Sequence, residues 1–561
     1  MNDSPETQGQ DTATAPIGSS DANQTRGIWK RLKEFPVYTA IVACLPLLNS
    51  YAQNKGLVPD ATVLIRPMLV SILVAAVLTY IASRLMRSTH RGAFAVAMLL
   101  AFLAAGDRIA EQLSSLALQL AGLTVSPEYP LLAVFLALIA LIAFVAVTRV
   151  SAIVTVAANV WILAVLISIQ LMWNIVPFDR ILGGNDQTAP TLPDVFAGAE
   201  ATGDKPDIYH VTLDGYSRAD VLRDLYGYDN SGFLDQLHSL GFSVPDQATT
   251  PYNQTRLAML SIFEGSYLDW LTQGPTLDPD DYSDLIRERY LENSAIRSLA
   301  QMGYSIQAAH TEYPPVDIGR RDVLTPRPWL EMNFFERLVF EQNVLSLVGR
   351  KLASLLGGEN FTASLIREAY RAPFDHELGR PLFLYTHLIA PHPPFDVTWE
   401  GENRSTLRLH HRLLDASEFH EGKASRQSEY KDGYIEKLRF INNETAAYLK
   451  RVIEELPDPK IIVVHGDHGG GLFVDSYDIR ATCLKERLSP FLAIYSSDGQ
   501  LQKQLTSDFS LVNIYRMIFS TYFNKDLPVL ENRSFYVPYG SISTHIPVGK
   551  TGLEASCSTS G

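Results

Sequence analysis

Three strand-like runs in this chain end in residues that could do chemistry. The run Ile461-Ile-Val-Val leads into His465-Gly-Asp467-His468 and then Gly469-Gly-Gly471. Apolar β-branched residues bounded by glycines predict a buried strand. A carboxylate beside an imidazole at its end suits a divalent metal ion; the plain alternative is a tight turn that caps a helix. Asp207-Ile-Tyr-His-Val-Thr-Leu predicts a second strand, closed by Asp214-Gly215. The third, Leu382–Leu388, contains His387 and is followed by His392. Strand ends of one open α/β sheet converge on one crevice, so these groups can share a site. A nucleophile is offered by Asn253-Gln-Thr255-Arg256, where Thr255 would begin a helix. Exposed N–H groups there favour an anion such as phosphate, and a metal ion would activate the hydroxyl.

Other polar residues carry two readings each. His465 either orients Asp467 or is simply packed. His387 lies inside an apolar strand, which favours a structural role. His310 ends the predicted strand Ser305–Ala309 and is a candidate rim residue. Arg256 is placed to hold a phosphate or sugar acid, although arginines near a helix start are often only solvated.

The elements that must position these residues form two unlike halves. The chain has 561 residues, 47% apolar and 19% charged, with a net charge of −14, which argues against a nucleic-acid footprint. Residues 1–25 are polar and predict a disordered tail. Residues 26–178 hold five apolar stretches, near 36–52, 63–83, 92–106, 130–148 and 152–175. A spanning helix needs about 20 apolar residues. The third stretch is the weakest, because Asp107 and Arg108 cut it off, and a re-entrant or buried segment is its alternative. Basic residues at Arg26, Lys30, Arg31 and Lys33, at Arg84, Arg87 and Arg91, and at Arg149 favour a cytoplasmic N-terminus, second loop and fourth loop. Five spans would then place the second half outside the cytoplasm, with Trp173 and Phe178 as an interfacial anchor. The spans hold no acidic residue, and Arg66 near one end is their only basic one, which disfavours a transporter.

Residues 179–205 predict a linker, 206–545 an α/β domain and 546–561 a tail. In the α/β part, Ser305–Ala309 and Phe491–Tyr495 are further strands. Arg218–Tyr226, Ser231–Leu240, Lys431–Leu456 and Asp508–Tyr522 have helical periodicity. Alternating strands and helices predict a largely parallel sheet covered by helices on both faces. A helical insertion, 325–370, carries two amphipathic stretches from Trp329 and from Val344, read as a packed subdomain or a membrane-facing lid. Among the cysteines, Cys483 and Cys557 could pair in an oxidising compartment or stay free.

In the order and spacing of these motifs the chain resembles the alkaline phosphatase/sulfatase superfamily. More narrowly it is similar to the membrane-anchored branch that contains lipoteichoic acid synthases and phosphoethanolamine transferases, with five N-terminal spans and an extracytoplasmic sulfatase-like domain. The resemblance maps the first acidic metal ligand onto Asp214. It maps the nucleophile, ten residues before a glycine, onto Thr255 and Gly265, and the Asp-His-Gly metal motif onto Asp467-His468-Gly469. It maps the substrate-side Pro-His-x-Pro segment onto Pro391-His392-Pro393-Pro394. It implies a metal held by Asp214, Thr255, Asp467 and His468, with zinc or manganese ranked ahead of calcium or magnesium.

The implied reaction is a double displacement through Thr255, assisted by His392. It moves a phosphoryl-alcohol group from a phospholipid donor onto a cell-envelope glycan or lipid. A hydrolase of phosphate esters with the same site is the second reading, and a non-catalytic glycan-binding domain on a membrane anchor the third. Two departures stand out. Thr255-Arg256 replaces the cysteine or serine motif that becomes formylglycine in true sulfatases. Asp214 stands where that branch has glutamate.

Overall fold

The computed structural model describes residues 35–54, 58, 61–121, 128–148, 152–173, 194–273, 279–309, 318, 322–323, 332–341, 344, 360–375, 378–404, 424–554 and 557. The expected N-terminal tail, Arg149, Phe178, His310, most of the linker and the amphipathic stretch from Leu345 onward lie outside them. The chain divides into two compact units, residues 1–49 with 64–176, and 50–63 with 177–561.

The first unit is helical: α1 (Tyr38–Gln53), α2 (Ile65–Leu85), α3 (Thr89–Ala121), α4 (Glu128–Val147) and α5 (Ala152–Trp173). Among the described residues, four helical segments are long and apolar enough to cross a membrane: 61–85, 89–106, 129–147 and 153–172. The described α1 has 16 residues, short of the ~20 a crossing needs. The stretch from residue 92 does not stop at Asp107 and Arg108; α3, 33 residues long from Thr89, runs on to Ala121. A helix satisfies its own backbone groups wherever it goes, so a charged pair ends the apolar face without ending the helix. Arg91 Nη1 donates to the Ala146 carbonyl at 2.9 Å, capping the end of α4 from the start of α3.

The second unit is built on a six-stranded sheet in the order β3-β2-β4-β1-β5-β6. The strands are β1 (Asp207–Leu213), β2 (Ser305–Ala308), β3 (Asp322–Val323), β4 (Leu382–Leu388), β5 (Lys460–His465) and β6 (Leu492–Ser496). All neighbours pair in parallel except β6, which runs antiparallel to β5. The central strands are buried along their whole length, because helices cover both faces, and that is why they read as unbroken apolar runs.

One face packs Ile208, Phe383, Ile461 and Val463 against α7 (Thr255–Glu264) and residues of α11 (Ile514–Tyr522). The other packs Tyr209, Val211, Leu384 and Val464 against α6 (Ser231–Ser239) and α9 (Ala424–Glu455). Lys460, buried at the start of β5, donates from Nζ to the carbonyls of Val452, Ile453 and Leu456 and so caps the last turn of α9. In the insertion, Phe334–Glu341 is helical. A second, two-stranded sheet pairs β7 (Ser534–Tyr536) with β8 (Ile546–Val548).

Candidate functional site

Strand order brings the chemistry together. β1 lies between β4 and β5, with Thr212 in register with both His387 and His465. Asp214 follows β1 and Asp467 follows β5, so both carboxylates leave the same edge of neighbouring strands. Gly215 N–H donates to Asp467 Oδ1 at 3.1 Å and locks the two ends together. The turn from Gly466 to Gly470 is packed too closely for a side chain at any of its three glycines. A Cβ at Gly466 would strike the Tyr216 carbonyl, one at Gly469 the Glu486 carbonyl, and one at Gly470 the Tyr226 hydroxyl. Glycine is therefore required by close approach, with Glu486 accepting from the N–H groups of Leu472 and Phe473 beneath the turn.

Asp214, Asp467 and His468 are buried and offer ligand atoms within 4.8 Å of one another. His468 Nδ1 pairs with the Gly469 carbonyl at 2.9 Å, which makes Nδ1 the donor and turns the Nε2 lone pair toward the carboxylates. Asp467 Oδ2 lies 3.1 Å from that Nε2 and Asp214 Oδ1 3.7 Å from it. Both oxygens are buried without a hydrogen-bond donor. Two buried carboxylate oxygens without donors beside a ring nitrogen make a mixed oxygen and nitrogen set that fits a divalent metal. Burial raises the Asp214 pKa, but the His392 charge, the His387 hydrogen bond and the His468 charge outweigh it and hold the carboxyl down at about 2.

Thr255 opens α7, after Gln254 in extended conformation, and its Oγ1 lies 3.0 Å from His468 Nε2. The residues before it are fixed from the side. Asn253 accepts from Val537 N–H at 2.8 Å, and Gln254 Nε2 donates to the Val537 carbonyl at 2.7 Å. The structure thus brings Thr255 to the three residues of the cluster.

His392 N–H donates to the Asp214 carbonyl at 3.0 Å, which ties the Pro391–Pro394 segment to the end of β1. Its ring Nδ1 pairs with the Pro393 carbonyl at 2.6 Å. His387 is a neighbour of the cluster: its Nε2 lies 3.2 Å from Asp214 Oδ2, and its Nδ1 bonds the Tyr385 hydroxyl at 2.9 Å. His465 turns away. Its Nε2 bonds His210 Nε2 at 2.7 Å, and His210 Nδ1 bonds the Tyr515 hydroxyl at 2.6 Å. Arg256, one residue into α7, is half-buried.

Two groups escaped the sequence reading. Lys437, buried in α9, donates from Nζ to the carbonyls of His392 at 2.9 Å and Pro394 at 3.1 Å. Arg487, buried in α10 (Leu484–Leu488), places Nη2 3.0 Å from His468 Nε2. Neither sits in a motif. The available signal for Arg487 is a charged triplet, Lys485-Glu486-Arg487, set between leucines. Cys483, just before α10, is disulfide-bonded to Cys557.

No protein-family model and no curated protein matches the chain. Among solved structures, it is similar to the periplasmic domain of EcEptC from Escherichia coli in complex with Zn. The identity is 12% and the TM-score 0.36, over 61% of this chain and 87% of that one. It is similar to the integral membrane lipooligosaccharide phosphoethanolamine transferase A from Neisseria meningitidis at 13% identity and TM-score 0.35, over 86% of this chain and 94% of that one. A 2-O GAG sulfatase, BT1596, matches at 10% identity and TM-score 0.35, over 60% of this chain and 78% of that one. Likenesses this distant carry no information about substrate.

Proposed function

We propose that this chain is a membrane-anchored, metal-dependent transferase of the sulfatase-like superfamily. In this reading Thr255 accepts a phosphoryl-alcohol group from a phospholipid and passes it to a glycan or lipid of the cell envelope. The observation that carries the reading is the Thr255 hydroxyl 3.0 Å from His468 Nε2, beside two buried carboxylate oxygens without donors.

A divalent ion held by Asp214, Asp467, His468 and the Thr255 oxygen would lower the pKa of that hydroxyl and neutralise a phosphoryl oxygen. Zinc and manganese suit this donor set ahead of calcium and magnesium. With its proton given up to solvent as the ion is bound, Thr255 Oγ forms a bond to phosphorus as the ester bond to the departing alcohol breaks, and it leaves as the same alkoxide in the second half-reaction. His392 hands that alcohol a proton. In the second half-reaction an acceptor hydroxyl gives its proton to His392 and takes the phosphoryl group from Thr255. His387 keeps the Asp214 carboxylate turned toward the ion.

The membrane half fits this chemistry, since a lipid donor is reached from a bilayer. We place five spans there, the four described and one built on the 36–52 stretch. The second half is then extracytoplasmic, which the basic loops favour and the Cys483–Cys557 bond suits.

The first test is metal content of detergent-purified protein, wild type beside Asp214→Ala and Asp467→Ala, followed by mass spectrometry of Thr255 after incubation with labelled phospholipid. Near-stoichiometric metal lost in both variants, with a phosphorylated Thr255 peptide, is the expected result. A wild type that binds no zinc, manganese, magnesium or calcium sinks the proposal. Label released to water alone, with an acceptor present, makes the enzyme a hydrolase.

A further inference from the structure

One buried face of α9 reaches all three strand ends that carry the site. Tyr430, Tyr434 and Lys437 follow the helical spacing that puts side chains on one face, and all three are buried. Each bonds the backbone of a different turn. Gly471 N–H, in the turn after His468, donates to the Tyr430 hydroxyl at 3.0 Å. In the turn after Asp214, the Tyr434 hydroxyl donates to the Gly215 carbonyl at 2.8 Å and accepts from Ser217 N–H at 3.1 Å. Lys437 takes the carbonyls of His392 and Pro394 beyond β4.

Gly215 has a φ of +74°, and its N–H is the one that meets Asp467 Oδ1 at 3.1 Å. Glycine permits that left-handed conformation but does not select it. The Tyr434 hydroxyl, bonded to the carbonyl of the same residue, does. With Oδ1 engaged, Asp467 keeps Oδ2 buried without a donor and 3.1 Å from His468 Nε2. The two turns are also stitched to each other, since Gly470 N–H donates to Ser217 Oγ at 2.8 Å.

The rings alone would fill the same space. Tyr434 packs on Tyr226 at 4.5 Å between centroids, and Tyr430 meets Phe395 edge-on at 4.9 Å. Phenylalanine would keep both contacts without burying a polar tip. What the hydroxyls add is the fixed place of two backbone turns.

We infer that Tyr434 and Tyr430 are positioning residues of the metal cluster, whose hydroxyls hold the turns after Asp214 and His468 so that Asp467 presents one oxygen to the ion. This inference rests on the metal-dependent reading of the site. Groups that orient ligands in this way change metal affinity by about 10- to 100-fold when removed.

The test uses the full-length, metal-free protein in detergent, titrated with zinc, and with manganese, magnesium and calcium if zinc does not bind. Metal affinity and the Tm of the metal-free protein are measured for wild type, Tyr434→Phe, Tyr430→Phe and Tyr370→Phe. The last is the control: it removes a buried hydroxyl that also bonds α9, at Thr445 Oγ1 2.8 Å away, further along the helix from the strand ends. The expected result is metal affinity lowered at least tenfold in Tyr434→Phe and less in Tyr430→Phe, with Tyr370→Phe within twofold of wild type. The metal-free Tm should fall by similar amounts in all three. Affinity within twofold of wild type in Tyr434→Phe overturns the inference and leaves the metal-dependent reading standing; if that variant does not fold, the same result in Tyr430→Phe overturns it. An equal loss in Tyr370→Phe also overturns it, because general loosening of α9 then explains the effect. So does failure of both site variants to fold, which assigns the hydroxyls to the fold alone. A wild type that takes up none of the four metals removes the metal-dependent reading and this inference with it.

Discussion

His387 Nε2 lies 3.2 Å from Asp214 Oδ2, while the other oxygen of the same carboxylate, Oδ1, faces His468. One carboxylate thus has a held side and an open side. On the far side of the ring, the Tyr385 hydroxyl bonds Nδ1 and itself accepts from Tyr290. That chain makes Nε2 the donor to Asp214. Replacing His387 by Phe leaves the ligand atoms in place but frees the carboxylate to turn. Metal affinity is expected to fall by about 10- to 100-fold, with little change in Tm of the metal-free protein. Metal titration of wild type and variant checks this.

Thr255→Ala removes the proposed attacking oxygen, which is also one of the four proposed metal ligands, and is expected to lower kcat by about 10^4-fold or more even with metal in excess. Thr255→Ser keeps the oxygen and should retain measurable turnover and a phosphorylated peptide. Turnover of Thr255→Ala near the wild-type rate would assign the nucleophile elsewhere.

The His210–His465 pair gives the second unit a defined acid limit. Burial lowers both rings, His465 to about 4 and His210 well below its ordinary value, with each other's charge adding to the effect on His210. Both are therefore neutral when folded and take up protons when unfolded. The unfolded chain binds more protons between about pH 6.5 and pH 4, so stability rises with pH across that window and falls as pH drops through it. At about 1.4 kcal/mol per unit, the loss is a few kcal/mol. Scanning calorimetry from pH 7 to pH 4 should show Tm falling across the window, with a shallower fall in His210→Gln.

Lys437 acts on His392 through two carbonyls. Burial brings its ammonium down to about 8, with Asp396 pulling the other way. Lys437→Met should free the 391–394 segment and lower kcat by up to about 10^2-fold, the low end for a lost proton-transfer group, with metal content unchanged. Restoration by Lys437→Arg would show that donated hydrogen bonds are what the position requires.

The disulfide closes 74 residues of sequence between Cys483 and Cys557, and Cys483 sits at the start of the helix that carries Glu486 and Arg487. Cys557→Ser is expected to destabilise the second unit by about 2–4 kcal/mol. It should also broaden the temperature dependence of activity. Denaturant titration and activity at matched temperatures test the two effects separately.

The sheet was legible because its strands are buried on both faces, and such strands show as apolar runs. The boundaries moved by a residue or so: Phe491–Tyr495 in expectation, Leu492–Ser496 in the structure. Asp214 and Asp467-His468 were legible because each follows a strand beside a glycine, and Thr255 because it opens a helix ten residues before Gly265. Arg487 and Lys437 were not. Each is one charged residue on a helix, and only the three-dimensional fold shows that it points inward. His210 and His465 both lie in apolar strands, and their pairing follows from the register of β1 with β5, which no local pattern encodes. The two-residue β3 is too short to leave a period.

The position of β1 between β4 and β5 also sets when the site can exist. Asp214 emerges early in synthesis, but its partners Asp467 and His468 arrive with the last parallel strand to be made. Contacts so far apart in sequence form late, and until β5 docks no set of ligands is assembled to hold an ion. On the proposed reading, the metal at this site is therefore chosen wherever folding finishes, and for a domain exported across a membrane the ion pool beyond it would outrank the pool of the cell that made the chain.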